Sequence, residues 1–143
     1  MRGDRVETMN VNESTVTRTL LPHHRQELHD SGLTDETIAK CGFYSEDNYA
    51  SLAVILDWRG ISKKMAPALV IPFTDAAGSR TYYRIKPDTP RKCGGKPVKY
   101  ESPCGQGNHV FVPPDTFGVL DEPAVELIVT EGEKKACKCD QDI

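Results

Sequence analysis

The chain is expected to be an α+β protein: short helices first, a β-rich basic section in the middle, and one strand–helix unit at the end. Three observations lead there. Helix start and stop signals crowd into residues 20–60. Apolar runs rich in β-branched and aromatic residues, punctuated by turn residues, lie between 68 and 114. A last such run, VELIVT (125–130), leads directly into helix formers. The expected divisions are a disordered lead at 1–18, a helical region at 19–64, a β-rich basic subdomain at 65–120 and a final unit at 121–143. With 143 residues the chain has the size of one domain and enough length to bury a core.

Residues 1–18 are polar and carry no hydrophobic period, hence the expectation of disorder. LLPHHRQELHDSG (20–32) predicts a short helix, with Pro22 near its start and Gly32 past its end. Thr34 is placed to cap a second helix, DETIAKC (35–41), with Asp35 and Glu36 in its first turn and Gly42 beyond it. Ser45 is placed to cap a third, EDNYASLAVILDW, in which Tyr49, Leu52, Ala53 and Leu56 share a face and after which Gly60 stops the helix. ALVIPF (68–73), the turn DAAGS (75–79) and RTYYRIK (80–86) read as a β-hairpin. Residues 87–107 hold four prolines and four glycines in 21 positions, which predicts a loop. HVFVPP (109–114) and VELIVT (125–130) read as further strands, and GEKKACK as the opening of a helix.

Composition narrows the function classes. Hydrophobic residues make up 38% and charged residues 27%, the proportions of an ordinary soluble protein. No apolar run approaches the roughly 18–20 residues of a membrane helix, and the N-terminal stretch has no signal-peptide core. A cytoplasmic protein with no membrane partner is expected. The five cysteines are odd in number and irregularly spaced, which argues against a disulfide scaffold. Cys137 and Cys139 are too close for the usual paired zinc spacing, and His23 and His24 are remote in sequence, so no zinc is expected. His23, His24 and His29 are expected to face solvent. The net charge of −3 conceals an asymmetry: residues 80–99 carry seven cations against Asp88 alone, a local +6 that leaves −9 for the rest. The whole-chain charge argues against nucleic acid, whereas the local charge argues for it.

The candidate chemistry begins at Glu131. A carboxylate at the carboxyl end of a strand, just before a helix, lies where open α/β sheets place ligands. Gly132 lets the backbone bend there. Mg2+ would suit an oxygen ligand at this position, and Lys134 and Lys135 could lie against phosphate. The alternative is an acid at a helix N-terminus favoured by the macrodipole. In RTYYRIK, alternation puts Arg80, Tyr82 and Arg84 on one face and Thr81, Tyr83 and Ile85 on the other. The first face is expected to meet a ligand and the second to be core. Tyrosines among cations can stack on unpaired bases, at about 1–3 kcal/mol each. The alternative for the whole stretch is a solvated loop with a basic face. The G-x-G of CGQGNH (104–109) has no helix behind it and reads as a turn, and Cys104 with His109 lacks an orienting third group.

TEGEKKA after an apolar strand resembles the first motif of Toprim domains, the nucleotidyl-transfer and strand-cleavage domains of bacterial primases and topoisomerases. IPFTDAAGSRTYYRIKPD, PVKYESP and HVFVPP are similar to the series that precedes the Toprim fold in primases. SGLTDETIAKCGFYS resembles the opening of an uncharacterised family in phage and plasmid replication proteins. The likeness spans about residues 25–138. It implies that residues 121–143 are the first strand and helix of an incomplete Toprim α/β unit. Glu131 would be the acidic catalytic and metal-binding residue, using Mg2+ only where the Toprim site is completed. It also implies a basic subdomain that guides template or nucleotide. There Lys99 and Tyr100 match the family's K-Y pair and Arg84 the arginine of the preceding strand, with Arg80, Tyr82, Lys86, Lys134 and Lys135 contributing. The family's second motif, D-x-D, follows a further strand. Asp140-Gln141-Asp142 lies only nine residues after Glu131 and is taken as a chance match. The chain is thus expected to be the nucleic-acid- or nucleotide-binding N-terminal portion of a primase-like DNA replication protein from a mobile element, equipped to bind rather than to catalyse. Expected partners are single-stranded DNA or a nucleotide, and a second copy or a replication helicase or primase. The alternative is a small non-enzymatic module that binds DNA or a replication protein.

Overall fold

The computed structural model describes residues 18–143. The lead expected at 1–18 therefore lies outside the described residues, apart from Arg18, whose guanidinium sits 4.3 Å from the centre of the Tyr44 ring. The α+β class holds. In chain order the elements are α1 (Pro22–Asp30), α2 (Asp35–Cys41), β1 (Tyr44–Glu46), α3 (Tyr49–Leu56), β2 (Ala68–Thr74), β3 (Arg80–Pro87), β4 (Lys92–Cys93), β5 (Lys96–Pro97) and α4 (Glu133–Asp142). Short 3-10 helices occupy Lys63–Met65 and Pro114–Val119.

Caps set the first helices. Pro22 opens α1, where its missing N–H is no loss. The Thr34 hydroxyl accepts from the Thr37 N–H at the start of α2, and Gly42 closes that helix in the left-handed conformation. The expected third helix starts later than Ser45. Asn48 caps α3 by accepting from the N–H groups of Ala50 and Ser51. Ser45 is drawn instead into β1 and towards α1.

β1, β2 and β3 form an antiparallel sheet in that order, with Tyr44 opposite Val70 and Val70 opposite Ile85. The β2–β3 turn is fastened by Asp75, whose carboxylate accepts from the N–H groups of Ala77 and Ser79. β2 is buried on both faces because helices cover both. Pro72 lies beyond the end of β1, where one side of β2 is open and a strand tolerates proline. One face packs Leu69, Ile71, Phe73 and Tyr82 against Leu28 of α1, Ile38 and Cys41 of α2 and Cys137 of α4. The other packs Ala68, Val70 and Ile85 against Leu52 and Leu56 of α3 and Met65.

Two expected strands do not form. HVFVPP joins no ladder, though Phe111 packs edge-on against Phe73 at 5.2 Å. VELIVT is likewise unpaired and exposed: Leu127 is 62% and Val129 85% accessible. A strand needs a neighbour for its backbone groups, and none among the described residues is alongside this run. The expected 87–107 loop instead contains the β4–β5 hairpin, turned by Gly94 and Gly95 at positive φ. α4 forms as expected and is fastened by its far end. The Gln141 side chain accepts from the Thr34 N–H and donates to the Gly32 carbonyl. The buried thiols of Cys137 and Cys41 lie 3.0 Å apart. Among the described residues no helix is long and apolar enough to cross a membrane.

Candidate nucleic-acid interface

The nine residues singled out from the sequence fall into two groups. Alternation on β3 does place Arg80, Tyr82 and Arg84 on one face, but that face is covered. It is the seam between β3, α1 and α4. Tyr82 is only 5% exposed, edge-on to Phe73 at 4.8 Å and stacked under His109 at 3.8 Å. It belongs to the core and offers no free ring to a base. Arg80 donates to the Lys40 carbonyl and to the Thr74 hydroxyl. Arg84 donates to the buried carboxylate of Glu133 and lies 4.9 Å from the centre of the Tyr100 ring. Lys86 and Lys134 converge on Glu27, Lys134 at 2.8 Å. The expectation that this face meets a ligand is therefore corrected: acids from α1 and α4 neutralise Arg84 and Lys86, the Lys40 carbonyl of α2 takes Arg80, and these bonds bind the elements together.

The Glu27 carboxyl shows the outcome. Burial pushes its pKa up, but the hydrogen bonds from Lys134 and Lys86 outweigh this and hold it below its ordinary value near 4.5. Its charge is thereby fixed between two ammonium groups at neutral pH.

Glu131 stands exposed in the turn before α4, where Lys135 donates to it from one helical turn on. That hydrogen bond lowers its pKa. Among the described residues no second carboxylate joins it in a metal-type grouping. A single oxygen donor already engaged by an ammonium does not make a Mg2+ site, which needs near-octahedral oxygen ligation with phosphate or carboxylate partners. The Asp140-Gln141-Asp142 triplet has structural uses instead. Asp140 accepts from the Thr116 hydroxyl, Gln141 holds the α1–α2 turn, and Asp142 pairs with Lys138.

Lys99 differs. It is exposed, and among the described residues its side chain makes no hydrogen bond or ion pair. The same holds for Lys92 and Lys96 of the β4–β5 hairpin, and for Arg59 and Lys64 after α3. Lys63 lies 5.4 Å from the centre of the Tyr49 ring. These two segments meet where the Arg91 guanidinium lies 5.8 Å from the centre of the half-buried Trp58 ring. Arg91 is held there by a two-pronged pair with Glu101, at 2.5 and 3.2 Å. Glu101 is itself buried and bridged to Ile85 of β3. The expected loop thus holds a short hairpin bolted to the sheet, with lysines outward. Arg59, Lys63, Lys64 and Trp58 were not signalled by the 80–99 charge count, because they come from a separate segment brought in by packing.

The histidines also divide. His23 and His29 face solvent as expected, but His24 is 1% exposed. Its Nδ1 lies 2.7 Å from the Ser45 hydroxyl and its Nε2 2.7 Å from the Asp88 carboxylate.

Searches against protein-family models, curated proteins and solved structures found no match to this chain.

Proposed function

We propose that the chain binds single-stranded nucleic acid through the cationic surface formed by the β4–β5 hairpin and the segment 58–64, as the N-terminal portion of a primase-like replication protein. The observation that carries this is the exposure of Lys92, Lys96 and Lys99 on a hairpin anchored by Arg91 and Glu101, while the neighbouring cations of β3 are paired internally. Unpaired lysines release counterions when they meet phosphates, and Trp58 beside them offers a ring for a base. Within the primase-like reading, the Toprim resemblance supplies the expectation of phosphoryl chemistry in a longer protein, and Glu131 would then need carboxylates from outside the residues described. A second reading, a protein-binding module, is favoured by the exposed apolar run Val125, Leu127, Ile128 and Val129.

Anisotropy titration of a fluorescent oligothymidylate at several salt concentrations tests the proposal. Wild type is expected to bind with an affinity that falls steeply with salt. Lys92→Glu/Lys96→Glu/Lys99→Glu, at exposed positions, is expected to keep the fold and lose about 0.7 of log–log salt slope per phosphate contact, roughly two in all. An unchanged affinity and slope in that variant, or no binding by wild type, overturns it.

A further inference from the structure

We propose that His23, His24 and Asp88 form a binding site for Zn2+, independent of the nucleic-acid reading. One ligand atom from each of His23, His24 and Asp88 lies within 4.8 Å of the other two. The ligands come from two places about 64 residues apart in sequence, the first turn of α1 and the residue just after β3. Two imidazoles and a carboxylate suit zinc rather than magnesium.

Each ligand has the freedom or the restraint that a metal site needs. His24 is buried and its ring is set by the Ser45 hydroxyl at Nδ1. To bind a metal, His24 must present the Nε2 lone pair and carry its proton on Nδ1. Ser45 Oγ already accepts from the Leu21 N–H at 2.7 Å and has a second lone pair for that proton. This is the outer hydrogen bond that fixes a metal-binding histidine. The side chains of His23 and Asp88 are 55% and 33% exposed, which leaves an entry path and room to adjust. The carboxylate oxygens now lie 2.6 and 2.7 Å from the two Nε2 atoms. Tetrahedral zinc with bonds of about 2.0–2.1 Å needs ligand atoms about 3.3 Å apart. The metal would replace both hydrogen bonds and spread the ligands by about 0.6 Å, a shift that two partly exposed side chains can make. Water would complete the coordination, so the site is of the open, three-ligand kind. Bound zinc would staple the start of α1 to the end of β3.

The test is competition for Zn2+ against a chromophoric chelator, using the reduced full chain with Cys93→Ser and Cys104→Ser to remove the two exposed thiols. One equivalent is expected to bind, and zinc is expected to raise the melting temperature. Ser45→Ala should weaken binding roughly 10- to 100-fold, and His23→Ala or Asp88→Ala by more than that. The exposure of His23 and Asp88 makes those two variants able to fold, and circular dichroism checks each. Failure to take up zinc, or equal uptake by Asp88→Ala, overturns the site and shows the three side chains to be a hydrogen-bonded brace alone.

Discussion

Removing the Glu133 carboxylate asks whether Arg84 faces a ligand or holds the fold. Arg84 Nη1 donates to Glu133 Oε1 at the start of α4, and Arg84 Nε is buried with no hydrogen-bond partner among the described residues. The side chains are 31% and 9% exposed. Breaking a fully buried pair costs about 3–5 kcal/mol, because it leaves a charge stranded, whereas an exposed pair contributes about 0–1. This pair lies between those limits, and Tyr100 still shields the guanidinium, so Glu133→Ala is expected to cost about 2 kcal/mol. For a chain of this length that lowers the melting temperature by roughly 6–8 °C. Arg84→Met/Glu133→Leu removes both charges and is expected to recover more than half of the loss. Urea denaturation of Glu133→Ala, Arg84→Ala, the Arg84→Ala/Glu133→Ala double and wild type completes the cycle. Arg84→Ala should lower stability and leave the salt slope of nucleic-acid binding nearly unchanged. Additivity of the two single effects within about 0.5 kcal/mol would refute the argument, since it would mean that the two groups do not interact.

Two further perturbations follow from the same seam and its neighbour. Because the folded pKa of Glu27 lies below its ordinary value near 4.5, its contribution is complete above that value and is lost as the pH falls below it through the folded pKa. Stability measured from pH 6 down to 3 should therefore fall more steeply for wild type than for Glu27→Gln, and parallel curves would exclude Glu27 as a source of acid sensitivity. Gly42 ends α2 at a φ of 75°, and a Cβ there would lie 2.5 Å from Arg80 Cζ. Gly42→Ala combines the left-handed penalty of about 1 kcal/mol with displacement of Arg80 from the Lys40 carbonyl, and is expected to cost about 2 kcal/mol in thermal melting. An unchanged midpoint would show that neither the backbone conformation nor the arginine is needed.

What the sequence discloses is local, and what it hides is long-range. Thr34 and Gly42 are read correctly as the ends of α2 because both act on backbone within a few residues. The β2–β3 hairpin is equally legible, since the Asp75 turn and the apolar run of β2 need no outside information. Ser45 reads locally as a cap, yet its hydroxyl is claimed by Leu21 and His24, more than 20 positions earlier. VELIVT has strand composition throughout, but composition cannot supply a neighbouring strand. His24 reads as solvent-facing because nothing near it in sequence announces Asp88 or Ser45 as partners.

The same distinction governs the candidate interface. The excess of cations in residues 80–99 is plain from the sequence, but its direction is set by acids elsewhere. Arg84, Lys86 and Arg91 receive Glu133, Glu27 and Glu101, all from outside that segment. Asp88, the one acid within it, is occupied by His23 and His24. The pairing therefore sorts a uniform-looking basic stretch into two parts. Cations that meet distant carboxylates lock α1, α4 and the β4–β5 hairpin onto the sheet. Lys92, Lys96 and Lys99 keep their charge facing outward, on a hairpin that Arg91 makes rigid. A phosphate backbone would find its partners among these three and not on β3, because each β3 cation could reach it only by abandoning an internal partner that the fold itself requires.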